Sequence, residues 1–332
     1  MKRYIGRALK KAGLKKQGLK AYFFITNNWT SLVEAARKKF ITILVRQRSR
    51  HGVYAIDLDS DWLGLGARIV KTLEIALYCR EKGLTPLIRY NYREKPVNSA
   101  DYFRELFYHK HPEIHSDRQV RFTSIRYVEE LGWPEDYNKK LKLAFAKSLF
   151  DQYFGINKEI LSETDQFWKS HFGDKQVLGV HYRGTDKAGE APLVAKEQLL
   201  DRILSVLRSR PGLERVFLST DDEAIIHFLT RADLPVPLLF REDAVRSNDG
   251  DQFHRKKEVS KSIVNRDAIV NMLLLSRCTF LLKTASILSD CSVIFNPAIE
   301  IDLINRPHLD ALTWWPCREI IDNRQSSVLF NA

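Results

Sequence analysis

Residues 177–190 read Val177-Leu-Gly-Val-His-Tyr-Arg-Gly-Thr-Asp-Lys-Ala-Gly-Glu190. The short apolar run Val177 to Val180 predicts a buried strand. The chain then turns polar at once. His181, Arg183, Thr185, Asp186, Lys187 and Glu190 follow within ten residues, spaced by Gly184 and Gly189. A strand ending in such a loop presents charged groups at the carboxyl edge of a sheet, where open α/β sheets bind ligands. Arg183 can hold a phosphate through two parallel hydrogen bonds. Lys187 adds a second cation, and Glu190 is a carboxylate within the same reach.

Toward the C-terminus the pattern of strand, polar turn and helix repeats. A helix is predicted over residues 196–208, stopping near Pro211-Gly212. The strand Arg215-Val-Phe-Leu-Ser219 runs into Thr220-Asp-Asp222, which also suits the N-cap of a helix over 223–230. Residues 237–240 read as a strand and residues 243–261 as a polar, mobile loop. A helix is predicted over 266–275, a strand over 279–282, then Lys283-Thr-Ala-Ser286 and a helix over 287–295. Alternating strands and helices predict a parallel sheet wound by helices. Three polar clusters thus fall on strand ends, 183–190, 220–222 and 283–286, and point to one crevice.

Toward the N-terminus a strand is predicted over 53–56 and a helix over 69–82, closed by Gly83 as C-cap, then a strand over 86–90. This βαβ unit carries Gly64-Leu-Gly66 at the helix entry, where backbone can approach a phosphate or sugar closely. The third glycine of a dinucleotide fingerprint is absent, since Ile69 stands there, which disfavours a nicotinamide enzyme. Asp57, Asp59 and Asp61 alternate, but Arg68 rather than Glu falls at the twelfth place of a calcium loop. Helices are predicted over 98–111 and 138–150. His109, His111 and His115 read as surface histidines.

The chain has 332 residues, enough for two domains, and 44% hydrophobic residues, enough for a substantial core. Residues 1–50 hold fourteen Lys and Arg against Glu34, a balance of +13, so a total of +12 leaves the remainder at −1. The body is therefore neutral, which argues against a nucleic-acid binder. Residues 1–50 form a basic N-terminal segment with helical spacing over 31–43. With Tyr4, Ile5, Leu9, Leu14, Tyr22 and Phe23 interspersed, it suits peripheral contact with an anionic membrane surface. No membrane-spanning run and no signal peptide are read. Four scattered cysteines fit a reducing, cytoplasmic setting.

In this order the motifs resemble the fucosyltransferase superfamily, the group of the rhizobial nodulation, core α-1,6- and protein O-fucosyltransferases. His181-Tyr-Arg-Gly-Thr-Asp-Lys187 is similar to its His-x-Arg-Arg-Thr-Asp-Lys. Phe217-Leu-Ser-Thr-Asp-Asp222 is similar to its strand ending in Thr-Asp-Asp. Leu274 to Ser286 looks like its helix, strand and Thr/Ser-bearing loop, and Gly64-Leu-Gly66 like its acceptor-side turn. The resemblance implies an α/β fold of two facing Rossmann-like domains, the glycosyltransferase B type, with parallel sheets wound by helices. The expected boundaries are 51–175 for the acceptor side and 176–332 for the nucleotide-sugar side. It implies GDP-fucose as donor, a glycan acceptor, and neither cofactor nor metal. Arg183 and Lys187 would stabilise the departing diphosphate, and Glu190 would be the general base. His181 would lie beside the nucleotide, Asp221 and Asp222 would order the site, and Asp186 would orient Arg183 or Lys187. Thr284 and Ser286 would bind the donor, as would Asn271, which falls where the family reads guanine with a carboxylate.

Two departures bear on function. The second arginine of the motif is Gly184 here, with Lys283 a candidate replacement cation. Asn271 offers an amide oxygen rather than a carboxylate, with Asp267 on the same helix a candidate substitute. These departures keep open another nucleotide-sugar donor, or a non-catalytic nucleotide- or glycan-binding protein of the same fold.

Overall fold

The computed structural model describes residues 52–60, 63–91, 101–111, 122–125, 136–184, 191–247, 260–308 and 314–329. The basic segment 1–50, its predicted helix, Asp61 and His115 lie outside these. No helix of the described residues is long and apolar enough to cross a membrane.

The first βαβ unit forms as its sequence predicts. Strand β1 (Val53–Leu58) leads to helix α1 (Leu65–Lys82), and Gly83 closes the helix in the left-handed region, at φ 63°. Its N–H and that of Leu84 satisfy the carbonyls of Arg80 and Cys79, the ending that glycine permits without a Cβ clash. Strand β2 (Thr85–Tyr90) then pairs parallel with β1. Beyond it the expected helix over 98–111 is helical, among the described residues, only in α2 (Tyr102–Leu106); β3 (Phe107–His109) is extended. β4 (Thr123–Ser124) joins β1 on its other side, giving the parallel order β2-β1-β4.

The helix expected over 138–150 appears as α3 (Asp136–Lys140) and α4 (Leu143–Tyr153), separated at the extended Lys142. β5 (Phe154–Ile156) pairs antiparallel with β3. Aromatic packing explains the strand at 107–109. Phe107 lies 5.2 Å from Phe103 and 5.5 Å from Phe150, ring centre to ring centre, and Phe103 lies 5.4 Å from Phe154. Such ring contacts between elements override local helix preference. Helix α5 (Lys158–His171) follows, which sequence reading left unassigned.

The second sheet matches its expected pattern closely. It takes β6 (Val177–Tyr182), α6 (Lys196–Ser209), β7 (Arg215–Thr220), α7 (Glu223–Thr230), β8 (Leu238–Leu239), α8 (Lys261–Arg277), β9 (Phe280–Lys283) and α9 (Ile287–Phe295). Two further elements follow: β10 (Glu300–Leu303) joins the edge of the sheet, and α10 (Trp315–Leu329) packs on α9. The strand order is β10-β9-β6-β7-β8, every pair parallel. Both faces are covered. Leu178, Val180, Val216, Leu218 and Leu282 pack with Leu199 and Ile203 of α6 and Ile225 of α7. Val177, Phe217 and Leu281 turn the other way, into a core shared with α8, α9 and the first sheet. Alternate residues thus face opposite layers, as the strand period requires.

The two sheets meet where α1 crosses α9. A Cβ on Gly66 would lie 2.9 Å from the Leu288 nitrogen and 3.0 Å from the Ile287 carbonyl carbon. Gly66 thus lets one helix backbone approach another, rather than admitting a ligand. Gly64, two residues earlier, is exposed and is the N-cap. Arg68, also in the first turn of α1, is fully buried and donates to the carbonyls of Leu58, Ser60 (2.7 Å), Leu63 (3.0 Å) and Asn91 (3.1 Å). It satisfies chain ends that leave β1 and β2 together. Asp57 pairs with Arg89 at 2.7 Å, and Asp59 accepts from Ser124 at 2.6 Å, so both serve cross-strand contacts.

Replacing Gly66 with alanine forces a Cβ against backbone that cannot rotate aside. Gly66→Ala is expected to cost about 1–3 kcal/mol, the usual range for overpacking. Urea denaturation measures this; a stabilised variant, as helix propensity alone would give, would show the contact to be looser.

Candidate functional site

β6 is the first strand of its sheet in sequence and the middle one in space. β7 and β8 extend to one side, β9 and β10 to the other. The order therefore reverses between β6 and β9, and loops leaving a sheet at such a reversal diverge and leave a crevice. The crevice is bridged at its base. The Arg183 N–H donates to Thr284 Oγ1 at 2.9 Å, and the Thr284 N–H donates to the His181 carbonyl at 2.9 Å. Beyond Thr284, Ser286 is buried at the N-cap of α9 without a capping side-chain bond. The positive end of that helix is at the same carboxyl edge.

The Arg183 side chain turns toward Asp221 at the end of β7, Nε to Oδ2 3.7 Å, with both side chains about four-fifths buried. Arg183, Thr284, Ser286 and Asp221 are thus brought to one edge. Asp222 differs in its use. It accepts the Ala224 N–H at 2.9 Å as N-cap of α7, while its own N–H donates to Thr220 Oγ1. Ser247 secures this turn, donating its N–H to the Asp221 carbonyl at 2.8 Å and accepting from the Glu223 N–H at 3.2 Å. Asp186, Lys187 and Glu190 lie outside the described residues.

Lys283 is not a replacement cation for the crevice. It is fully buried, and its ammonium is bound to Asp290 of α9 at 2.7 Å. Strand parity explains this. Lys283 follows Leu281 on the inner face, opposite His181 in register. Burial raises the Asp290 carboxyl, and the Lys283 charge opposes that rise. His181 is buried beside this pair, and among the described residues its Nδ1 has no hydrogen-bond partner. Burial first, then the charges of Lys283 and Arg183, push its pKa down to about 3. The imidazole is neutral.

Asp267 is likewise engaged. Oδ2 accepts the Val245 N–H at 3.0 Å, and Oδ1 lies 3.2 Å from Arg241. Arg241, almost wholly buried, also holds Glu163 at 2.7 Å and Asp243 at 3.0 Å, tying α5 and α8 to the segment after β8. Asn271, one turn along α8, is half-buried. Gly184 has a local cause. A Cβ there would fall 2.5 Å from the Tyr182 hydroxyl oxygen and 2.8 Å from two ring carbons. Tyr182 is itself held, its hydroxyl donating to the Val194 carbonyl at 2.8 Å.

One contributor escaped sequence reading. Asn305, just after β10, accepts the Ala285 N–H and donates to the Pro192 carbonyl, each at 2.7 Å. Its only signal was a single asparagine after an unrecognised edge strand.

No protein-family model matches the sequence, and no curated protein matches it. Solved structures do. A NodZ alpha-1,6-fucosyltransferase soaked with GDP-fucose is 15% identical, covered over 75% of this chain and 94% of that one, with a TM-score of 0.46; NodZ from Bradyrhizobium has also been solved, with a TM-score of 0.41, 15% identity and coverage of 69% and 87%. POFUT1 in complex with GDP is 11% identical, with coverage of 75% and 98% and a TM-score of 0.46. A mutant of Arabidopsis thaliana FUT1 in complex with GDP is 11% identical, with coverage of 91% and 77% and a TM-score of 0.46. The described residues of this α/β chain form two parallel sheets wound by helices, with the antiparallel pair of β3 and β5 beside them.

His181 gives a pH test. Its pKa is lowered on folding, so between about 3 and 6.5 the unfolded chain binds a proton that the folded chain excludes. Its contribution is present above pH 6.5 and lost as pH falls toward 3. Urea denaturation at pH 7 and pH 5 should show a smaller loss for His181→Gln than for the parent chain. Equal losses would mean that His181 charges in the folded state.

Proposed function

We propose that the chain is an inverting, metal-independent glycosyltransferase that transfers fucose from GDP-fucose to a bacterial glycan or lipid-linked oligosaccharide. The observation that carries this reading is the position of Arg183. It stands at the reversal between β6 and β9, held by Asp221 and tied through its backbone to Thr284. A guanidinium there, with the amides opening α9, suits the diphosphate of a nucleotide sugar.

In this mechanism the acceptor hydroxyl oxygen attacks the anomeric carbon as the bond to the β-phosphate oxygen breaks. In-line displacement inverts that carbon. Arg183 and Lys187 stabilise the negative charge that develops on the leaving diphosphate, the work that fixed cations do where no metal is present. Glu190 takes the acceptor proton. Neutral His181 lies buried beneath the donor side, beside Lys283 and Asp290, and adds no charge there. Asn271 presents its amide oxygen to the base. The acceptor enters from the side of residues 51–175, and the donor rests on 176–332. Residues 1–50 place the protein against an anionic membrane surface on its cytoplasmic side. A non-catalytic nucleotide binder is the second reading, favoured by Tyr182 filling the space beside Gly184 and by Arg241 engaging Asp267.

Calorimetric titration with GDP and then UDP, with chelator present, tests the donor assignment. GDP is expected to bind and UDP not. Arg183→Ala should weaken GDP by about ten- to a hundredfold, the loss of a charge-assisted contact worth about 1.5–3 kcal/mol, with the melting temperature nearly unchanged. UDP binding would retain glycosyl transfer and discard GDP-fucose; no nucleotide binding would overturn the reading. Glu190→Gln should lower kcat by about 10²–10⁴-fold while donor affinity holds. The reverse pattern would make Glu190 a binding residue.

A further inference from the structure

Helices α6 and α7 lie side by side on the outer layer of the second sheet. Leu199 and Ile203 of α6, and Ile225, Ile226 and Leu229 of α7, go into the core beneath. Their remaining faces meet in an open groove of about 520 Å³. Its floor is apolar, made by Leu200, Ala224, Phe228 and Ala232. Its other lining groups are Lys196, Arg231 and His227, the last charged only when protonated. Sequence spacing explains the grouping. Lys196 and Leu200 share one face of α6, and Ala224, Phe228 and Arg231 follow one face of α7 to its end.

Among the described residues no carboxylate lines the groove; Glu223 stands at its margin, 3.8 Å from His227. The Lys196 ammonium lies over the Phe228 ring, 5.1 Å from its centre, at the edge of the apolar floor. Leu193, in the turn that enters α6, is 60% exposed. Outside residues 1–50 the chain carries a balance of only −1. Cations around an apolar floor are therefore a local feature, not a general surface charge.

We propose that the groove between α6 and α7 takes the acidic headgroup and first acyl carbons of a membrane lipid. Lys196 and Arg231 meet the phosphate, and the start of the chain lies on Leu200 and Phe228. A soluble anion would satisfy the cations but leave the floor and Leu193 in water. An anionic bilayer surface covers both. Each helix follows a strand and so begins at the carboxyl edge of the sheet, where Arg183 and Thr284 stand. A contact here holds the crevice at the lipid surface. It is separate from the contact proposed for residues 1–50 and does not depend on the glycosyl-transfer reading.

The test mixes the full chain with vesicles of phosphatidylglycerol or of phosphatidylcholine. Sedimentation reads the bound fraction, and hydrogen exchange followed by mass spectrometry reads residues 223–232. Phosphatidylglycerol should slow exchange there, and phosphatidylcholine should not. Lys196→Gln with Arg231→Gln, both exposed, should abolish that protection. The pair should also lower partitioning by about thirtyfold, about fivefold for each cation lost at an anionic surface. Ala224→Glu, at an exposed position in the first turn of α7 where an acid favours the helix, should also remove the protection. Lys158→Gln with Lys169→Gln, exposed on α5 at the far side of the sheet, should change partitioning by less than about twofold, since charges beyond a Debye length from the lipid are screened. Unprotected residues 223–232 in the parent chain overturn the proposal, whether or not the vesicles bind it. An equal fall in partitioning for the α5 pair does the same. Equal protection by glycerol phosphate alone would assign the groove to a soluble anion and also overturn it.

Discussion

Two helices pass backbone to backbone at Gly66, and the rest of the arrangement depends on that approach. Closer contact between α1 and α9 is possible only because no side chain stands between them. It places the start of α9 against the start of α1, and so fixes the turn after β9 from behind. Arg68 completes the same corner by gathering the carbonyls that leave β1 and β2. A buried guanidinium bound to four carbonyls is a rigid post, because each bond lost would leave a polar group without water. The candidate site is thus backed by the first sheet as well as carried by the second.

Beneath the crevice the polar groups are arranged in depth. Lys283 and Asp290 neutralise one another in the core, and His181 stays uncharged beside them. Arg183 lies at the surface end of the same column, paired with Asp221 at a looser 3.7 Å. A buried pair this close is costly to break and of modest net benefit to stability. Its effect here is geometric. It ties the end of β9 to the first turn of α9, and so holds Thr284 and Ser286 between them.

The strands of the second sheet were legible because they are buried on both faces and read as short apolar runs. β10 was not, because an exposed edge strand of alternating Glu300-Ile-Asp-Leu303 carries little apolar signal. β3 was misread because the rings that make it a strand come from β5 and α4, distant in sequence. Within the site, Arg183 and Thr284 could be placed on strand ends from their neighbours alone. Whether a polar residue at a strand end points outward or back into the layer depends on parity and register. That is why Lys283 looked available in the sequence and is buried in the structure. Gly66 was recognised as a position of close approach, but the approaching partner was a helix.

The ring of Tyr182 beside Gly184 makes the two positions depend on one another. An arginine at 184 cannot be accommodated while that ring stays bound to Val194, since its first carbon already overlaps the tyrosine. Removing the ring first leaves the Val194 carbonyl without its donor and opens a void in the second core. Each single change therefore carries a cost of its own. The two sites are coupled by volume rather than by charge. A side chain of any size at 184 thus requires a smaller or displaced one at 182.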